Sequence, residues 1–140
     1  MRILLADDQP KIRFALRLLL EREPELDVVG EAAGAETLLA QLEATQPDVV
    51  LLDWELPGLS AIGGLPALRA VCPQLRVIAL SGRLEARQAA LAAGAEAFVS
   101  KGSPPDRLLA ALRVLGQTNN PKSCTERSRS ISYKKEPKND

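Results

Sequence analysis

Residues 49–58 read VVLLDWELPG, four apolar residues running without interruption into Asp53. An unbroken apolar run, rather than an alternation of apolar and polar residues, marks a strand covered on both faces, as in a parallel sheet between two helical layers. The same grammar recurs on either side. Ile3-Leu4-Leu5-Ala6 runs into Asp7-Asp8, Val77-Ile78-Ala79-Leu80 into Ser81, and Phe98-Val99-Ser100 into Lys101. Strands are predicted over residues 2–6, 26–32, 48–53, 75–80 and 95–99.

Helical periodicity fills the intervals. The first helix follows Pro10, with Ile12, Ala15, Leu16 and Leu19 on one face and Arg13, Arg17 and Glu21 elsewhere. A second spans 34–45 through Leu38, Leu39 and Leu42. The fourth, over 84–93, is alanine-rich and poor in leucine, so it should pack lightly; Gly94 supplies its C-terminal cap. The fifth starts at Ser103-Pro104-Pro105-Asp106 and carries Leu108, Leu109, Leu112 and Leu115 to Gly116. Strand and helix therefore alternate through five units, predicting an α/β fold: a single five-stranded parallel sheet flanked by five helices. The common order for such a sheet is 2-1-3-4-5, which makes the first and third strands neighbours at the switch point where ligands bind.

The chain has 140 residues, 46% of them hydrophobic, enough for one domain with a sizeable core. Charge divides it: residues 1–116 hold 12 Lys and Arg against 15 Asp and Glu, a net −3, whereas residues 117–140 hold 6 against 3, a net +3. Residues 1–116 are expected to form the domain, and 117–140 a disordered, polar and basic C-terminal tail that is solvated rather than a binding arm. There is no histidine, which excludes Ser-His-Asp hydrolysis, histidine-ligated metals and phosphohistidine transfer from within the chain. Cys72 and Cys124 have no metal-ligand spacing. With neither a signal peptide nor a membrane span in the sequence, a cytoplasmic location is expected.

The strand-end residues specify a chemistry. Asp7, Asp8 and Asp53 should converge at the switch point, and two carboxylates about 4 Å apart repel by roughly 4 kcal/mol at an effective dielectric near 20. A cation is implied, and Mg²⁺ suits hard oxygen ligands better than Zn²⁺ does. Lys101 balances the other side. The set points to a magnesium-dependent phosphoryl acceptor.

The segments LLADDQP (4–10), VVLLDWELPG (49–58), VIALSG (77–82) and AAGAEAFVSKGSPPDRLLAALRVL (92–115) together resemble the receiver domain of two-component response regulators over residues 1–116. The fold implied is CheY-like and the last segment is similar to the NarL/FixJ type. The resemblance implies that Asp53 is the phosphoacceptor, taking its phosphoryl group from a sensor histidine kinase or phosphotransfer protein. It implies that Mg²⁺ is held by Asp8, Asp53 and the backbone carbonyl of Glu55, with Asp7 acting partly through water. Ser81, Lys101 and the backbone amides of Trp54 and Gly82 would contact the phosphoryl oxygens. Ser81 and Phe98 would form the switch, with Phe98 turning inward as Ser81 moves.

Several positions depart from the family's pattern. Ala61 stands where receivers usually place Gly, four residues after Pro57, and Gly63, Gly64 and Pro66 follow, so the third helix should start late. Gly102 follows Lys101 where many members have Pro, Gly82 replaces the common Ala, and Ser81 replaces the commoner Thr. Residues 117–140 are too few for the helix-turn-helix domain that usually follows in NarL/FixJ-type proteins, so nucleic-acid binding is not expected without an additional domain. The expected output is a partner protein or a homodimer, with no membrane partner. Three other readings stand beside it: a truncated or decoy receiver without output, an aspartate-nucleophile phosphohydrolase using Glu55 as general acid/base, and a nucleotide-binding module. The last lacks a glycine-rich first turn.

Overall fold

The computed structural model describes residues 1–118. Its elements are β1 (Arg2–Ala6), α1 (Pro10–Glu21), β2 (Asp27–Ala32), α2 (Ala35–Thr45), β3 (Val49–Asp53), α3 (Gly64–Val71), β4 (Arg76–Ser81), α4 (Ala86–Ala92), β5 (Ala97–Ser100) and α5 (Pro105–Thr118). The five strands are parallel in the order β2-β1-β3-β4-β5, the order expected from the alternation of elements. The helix α5 continues to Thr118; the remainder of the predicted tail, 119–140, lies outside the described residues.

Strand geometry divides the core in two. Successive side chains point to opposite faces, so Leu4, Val50, Leu52, Val77 and Ala79 pack with Leu38 and Leu42 of α2, Leu65 and Leu68 of α3 and Ala90 of α4. Ile3, Leu5, Val49, Leu51, Ile78 and Leu80 pack on the other face with Leu20 of α1 and Leu108, Leu112 and Leu115 of α5. Every residue of β3 is buried, which is why its sequence is an unbroken apolar run.

Local differences from the sequence reading have physical causes. In α1 the buried residue is Leu20, with Leu16 and Leu19 packed against the core, whereas Ala15 is exposed. The helix α4 starts at Ala86 because Arg83–Glu85 form a turn, with the Ala86 and Arg87 amides donating to the carbonyls of Arg83 and Leu84. As expected, it packs lightly, burying only Ala86 and Ala90. The start of α3 is delayed to Gly64: left-handed backbone falls at Gly63 (φ 106°) and Gly64 (φ 69°), where no side chain opposes it, and Ala61 is spared. Among the described residues no helix is long and apolar enough to cross a membrane.

Candidate functional site

The ladder between β1 and β3 pairs Ala6 with Leu52. One step further along each strand stand Asp7 and Asp53, brought side by side at the carboxyl edge of the sheet. Both are buried, whereas Asp8, one residue into the loop, is exposed. One carboxylate oxygen from each of Asp7, Asp8 and Asp53 lies within 4.8 Å of the others. The predicted convergence is present.

Backbone and guanidinium groups hold this corner. The Gln9 amide donates to Asp7 Oδ1 at 2.9 Å and the Glu55 amide to Asp53 Oδ1 at 3.0 Å. Arg13 donates through Nη1 to the Asp7 carbonyl at 2.6 Å and through Nε to Glu31 at 2.8 Å. Arg17 reaches the other oxygen of Glu31 from one turn along α1. Burial alone would raise the Glu31 pKa, but Arg17 and Arg13 outweigh it and hold the carboxyl below its ordinary value. The loop that carries Asp7 and Asp8 is thus riveted to α1 and β2.

Lys101 closes the other side, its Nζ lying 2.7 Å from Asp7 Oδ2 and 3.4 Å from Asp53 Oδ1. Burial would lower the lysine's pKa, yet the two carboxylates prevail and raise it. For Asp53 the balance tips the opposite way. Burial, reinforced by the charge of Asp7, raises its pKa despite the Glu55 amide and Lys101. Asp7 Oδ2 is buried without a hydrogen bond of good geometry, its contact with Lys101 being an ion pair. Three carboxylates thus cluster where, among the described residues, Lys101 supplies the one ammonium in contact with them. The donor set is all hard oxygen, as a small divalent cation requires.

Ser81 is fully buried as the last residue of β4. Its hydroxyl donates to the Glu55 carboxylate, with Oε2 at 2.9 Å and Oε1 at 3.0 Å, and accepts the Arg83 amide at 3.0 Å. The Lys101 amide donates to the Ser81 carbonyl at 2.9 Å, so the two strand ends are joined. Gly82, the next residue, is exposed. The Trp54 amide, expected to face the phosphoryl group, donates instead to the Leu80 carbonyl at 2.8 Å. An amide has one proton, and this one extends the sheet rather than the cradle. Phe98 is half-buried on β5, packed against the core, and lines a cavity of about 220 Å³ with Leu84, Arg87 and Arg107.

Sequence reasoning missed Arg13, which it left on the outer face of the first helix, and the side chain of Glu55, for which only the carbonyl was considered. For Arg13 a signal existed: Arg13 and Arg17 lie four apart on one helix, and Glu31 is an acid inside a predicted strand. For Glu55 none did, because a turn residue's direction depends on the turn.

Residues 3–113 match the family model described as the response regulator receiver domain. The chain is 35% identical over 112 residues to the nitrate/nitrite response regulator protein NarL of Escherichia coli K12, covering 79% of this chain and 52% of that protein. It is 40% identical over 116 residues to the transcriptional activator protein ExaE of Pseudomonas putida, covering 81% and 54% respectively. The chain thus spans about half the length of these curated relatives. Among solved structures it is similar to the signal receiver domain of the putative response regulator NarL from Mycobacterium tuberculosis, with TM-score 0.74 and 28% identity over 84% of this chain and 97% of that one. It is also similar to a LuxR-family two-component response regulator from Aurantimonas, with TM-score 0.73 and 34% identity over 85% and 86%.

Proposed function

The chain belongs to the response regulator receiver family, and from that membership we propose that it is a phosphoacceptor switch whose chemistry is carried by Asp53. The observation that supports this most directly is the charge imbalance of the corner, three clustered carboxylates against the single ammonium of Lys101. With no histidine of its own, the chain takes its phosphoryl group from another protein, a sensor histidine kinase or a phosphotransfer protein. A carboxylate oxygen of Asp53 attacks the phosphorus of a phosphohistidine; the new O–P bond forms as the N–P bond breaks, and the electron pair leaves with the imidazole.

Asp7, Asp8, Asp53 and the backbone carbonyl of Glu55 are the groups that would hold Mg²⁺. Bound there, the ion offsets the carboxylate charge and the charge on the transferring oxygens. Lys101 supplies fixed positive charge on the opposite side, and the Ser81 hydroxyl and Gly82 amide supply hydrogen bonds to the phosphoryl group. The Ser81 movement is transmitted to Phe98, which turns inward beside α4 and α5 and changes the surface offered to a partner protein or a second copy of the chain. The domain's own net negative charge gives it no nucleic-acid footprint.

Acetyl phosphate or beryllofluoride with Mg²⁺ should modify Asp53 and change the fluorescence of Trp54, its neighbour and the sole tryptophan. Asp53→Asn should abolish the response; a wild-type response from that variant would refute the assignment. The phosphohydrolase reading needs Glu55 free for acid/base work, whereas its carboxylate is hydrogen-bonded to Ser81. Sustained multiple turnover on a phosphomonoester would restore it. A decoy receiver would be phosphorylated yet retain no partner and form no dimer.

A further inference from the structure

A serine hydroxyl carries one proton, and that of Ser81 is engaged with the Glu55 carboxylate, 2.9 and 3.0 Å from its two oxygens. The same hydroxyl oxygen accepts the Arg83 amide, so the group is held from two directions while Ser81 itself is fully buried. Glu55 is exposed, which leaves its side chain the partner with room to withdraw. Glu55 also donates its backbone amide to Asp53 Oδ1. One residue therefore bridges the nucleophile, through its main chain, and the hydroxyl, through its side chain.

We propose that the Glu55 side chain is a latch on the switch: a positioning residue that holds Ser81 in its resting orientation and competes with an incoming phosphoryl oxygen for the Ser81 proton. The inference rests on the phosphoacceptor reading and extends it. An arriving phosphoryl group is an acceptor of the same sign as Glu55, so it both repels the carboxylate and replaces it. The strength of the Glu55–Ser81 bond then sets how readily the bound phosphoryl group is converted into a change at Phe98. A weaker latch gives a more easily triggered receiver.

The test is a beryllofluoride titration at saturating Mg²⁺, read by Trp54 fluorescence, with far-UV circular dichroism confirming that each variant is folded. Glu55→Ala should tighten half-saturation by about five- to tenfold, the scale of one charge-assisted hydrogen bond partly exposed to water. Glu55→Gln, which keeps a neutral acceptor, should fall between Glu55→Ala and wild type. Glu55→Asp keeps the charge but shortens the reach by one methylene, and should approach Glu55→Ala. In a Ser81→Ala background the Glu55→Ala effect should shrink to less than about twofold. The latch is overturned if Glu55→Ala fails to tighten binding, if Glu55→Asp behaves as wild type, or if the Glu55→Ala effect survives intact without the Ser81 hydroxyl, which would reduce it to charge repulsion. No beryllofluoride response in the wild-type protein would refute the phosphoacceptor reading and the latch together; a response without Ser81 coupling would refute the latch alone.

Discussion

The corner formed by β1, β3 and α1 and the edge formed by β4, β5 and α4 are held in different ways. At the corner, Asp7 and Asp53 are buried, Lys101 bridges them, and Arg13 ties the Asp7 carbonyl to Glu31. At the edge, α4 buries only two alanines, Leu84 is 68% exposed and every residue of β5 is half-buried. Phosphoryl chemistry needs groups fixed in place before the reaction, whereas a conformational readout needs an element whose alternatives lie close in energy. The buried corner meets the first requirement, and the lightly packed edge is the place where the proposed readout would meet the second.

Truncating one leucine on the helix of each region should expose the largest difference. Leu20→Ala, in the buried face of α1, should cost about 2–5 kcal/mol in a urea melt. Leu91→Ala, on the exposed side of α4, should stay within about 0.5 kcal/mol, and α4 amides should exchange with deuterium before those of α1. Equal costs would erase the distinction between corner and edge.

A smaller effect tests whether the corner stores strain. Because the folded state raises the Asp53 pKa, its carboxyl favours folding only when protonated. That contribution is fully present below the ordinary carboxylate pKa and is lost as pH rises through the raised folded value. Asp53→Asn removes the buried charge, and without Mg²⁺ it should therefore stabilise the protein at neutral pH, by on the order of 1 kcal/mol. A destabilised variant would mean that Lys101 more than offsets the burial.

The smallest effect concerns the rivet. Glu31 has a lowered pKa, so its contribution is present above the ordinary carboxylate pKa and disappears as pH falls through the folded value. Partial exposure screens the pair. Glu31→Gln should cost about 0.5–1 kcal/mol near neutral pH and nothing in acid, and its urea midpoint measured against pH should converge on that of the wild type as the pH is lowered. Parallel curves would assign the cost to packing instead.

The corner was legible in the sequence because a strand buried on both faces has little choice of residue. VVLLD and VIALS can hardly be anything else, and the polar residue closing each run marks the sheet edge. Hence the strand order, the convergence of the three aspartates and the place of Lys101 all follow from the runs and a topological rule. The delayed start of α3 was legible for a related reason, since Gly63 and Gly64 are permitted backbone that Ala61 is not. The edge was harder to read. The start of α4 is decided by the turn in which the Ala86 and Arg87 amides donate to the Arg83 and Leu84 carbonyls, and sequence periodicity does not register such bonds. The destination of the Trp54 amide and the direction of the Glu55 side chain likewise depend on how β3 leaves the sheet, which is a property of the assembled strands.

The pairing of Ala6 with Leu52 has one more consequence. Asp7 and Asp53 are far apart along the chain and become neighbours only when β1 and β3 zip together, with β4 closing the far side through the Leu80 carbonyl. A nascent or partly unfolded chain holds Asp53 as an ordinary isolated carboxylate, without Asp7, Asp8 or Lys101 around it. The proposed phosphoacceptor site therefore exists only in the folded sheet.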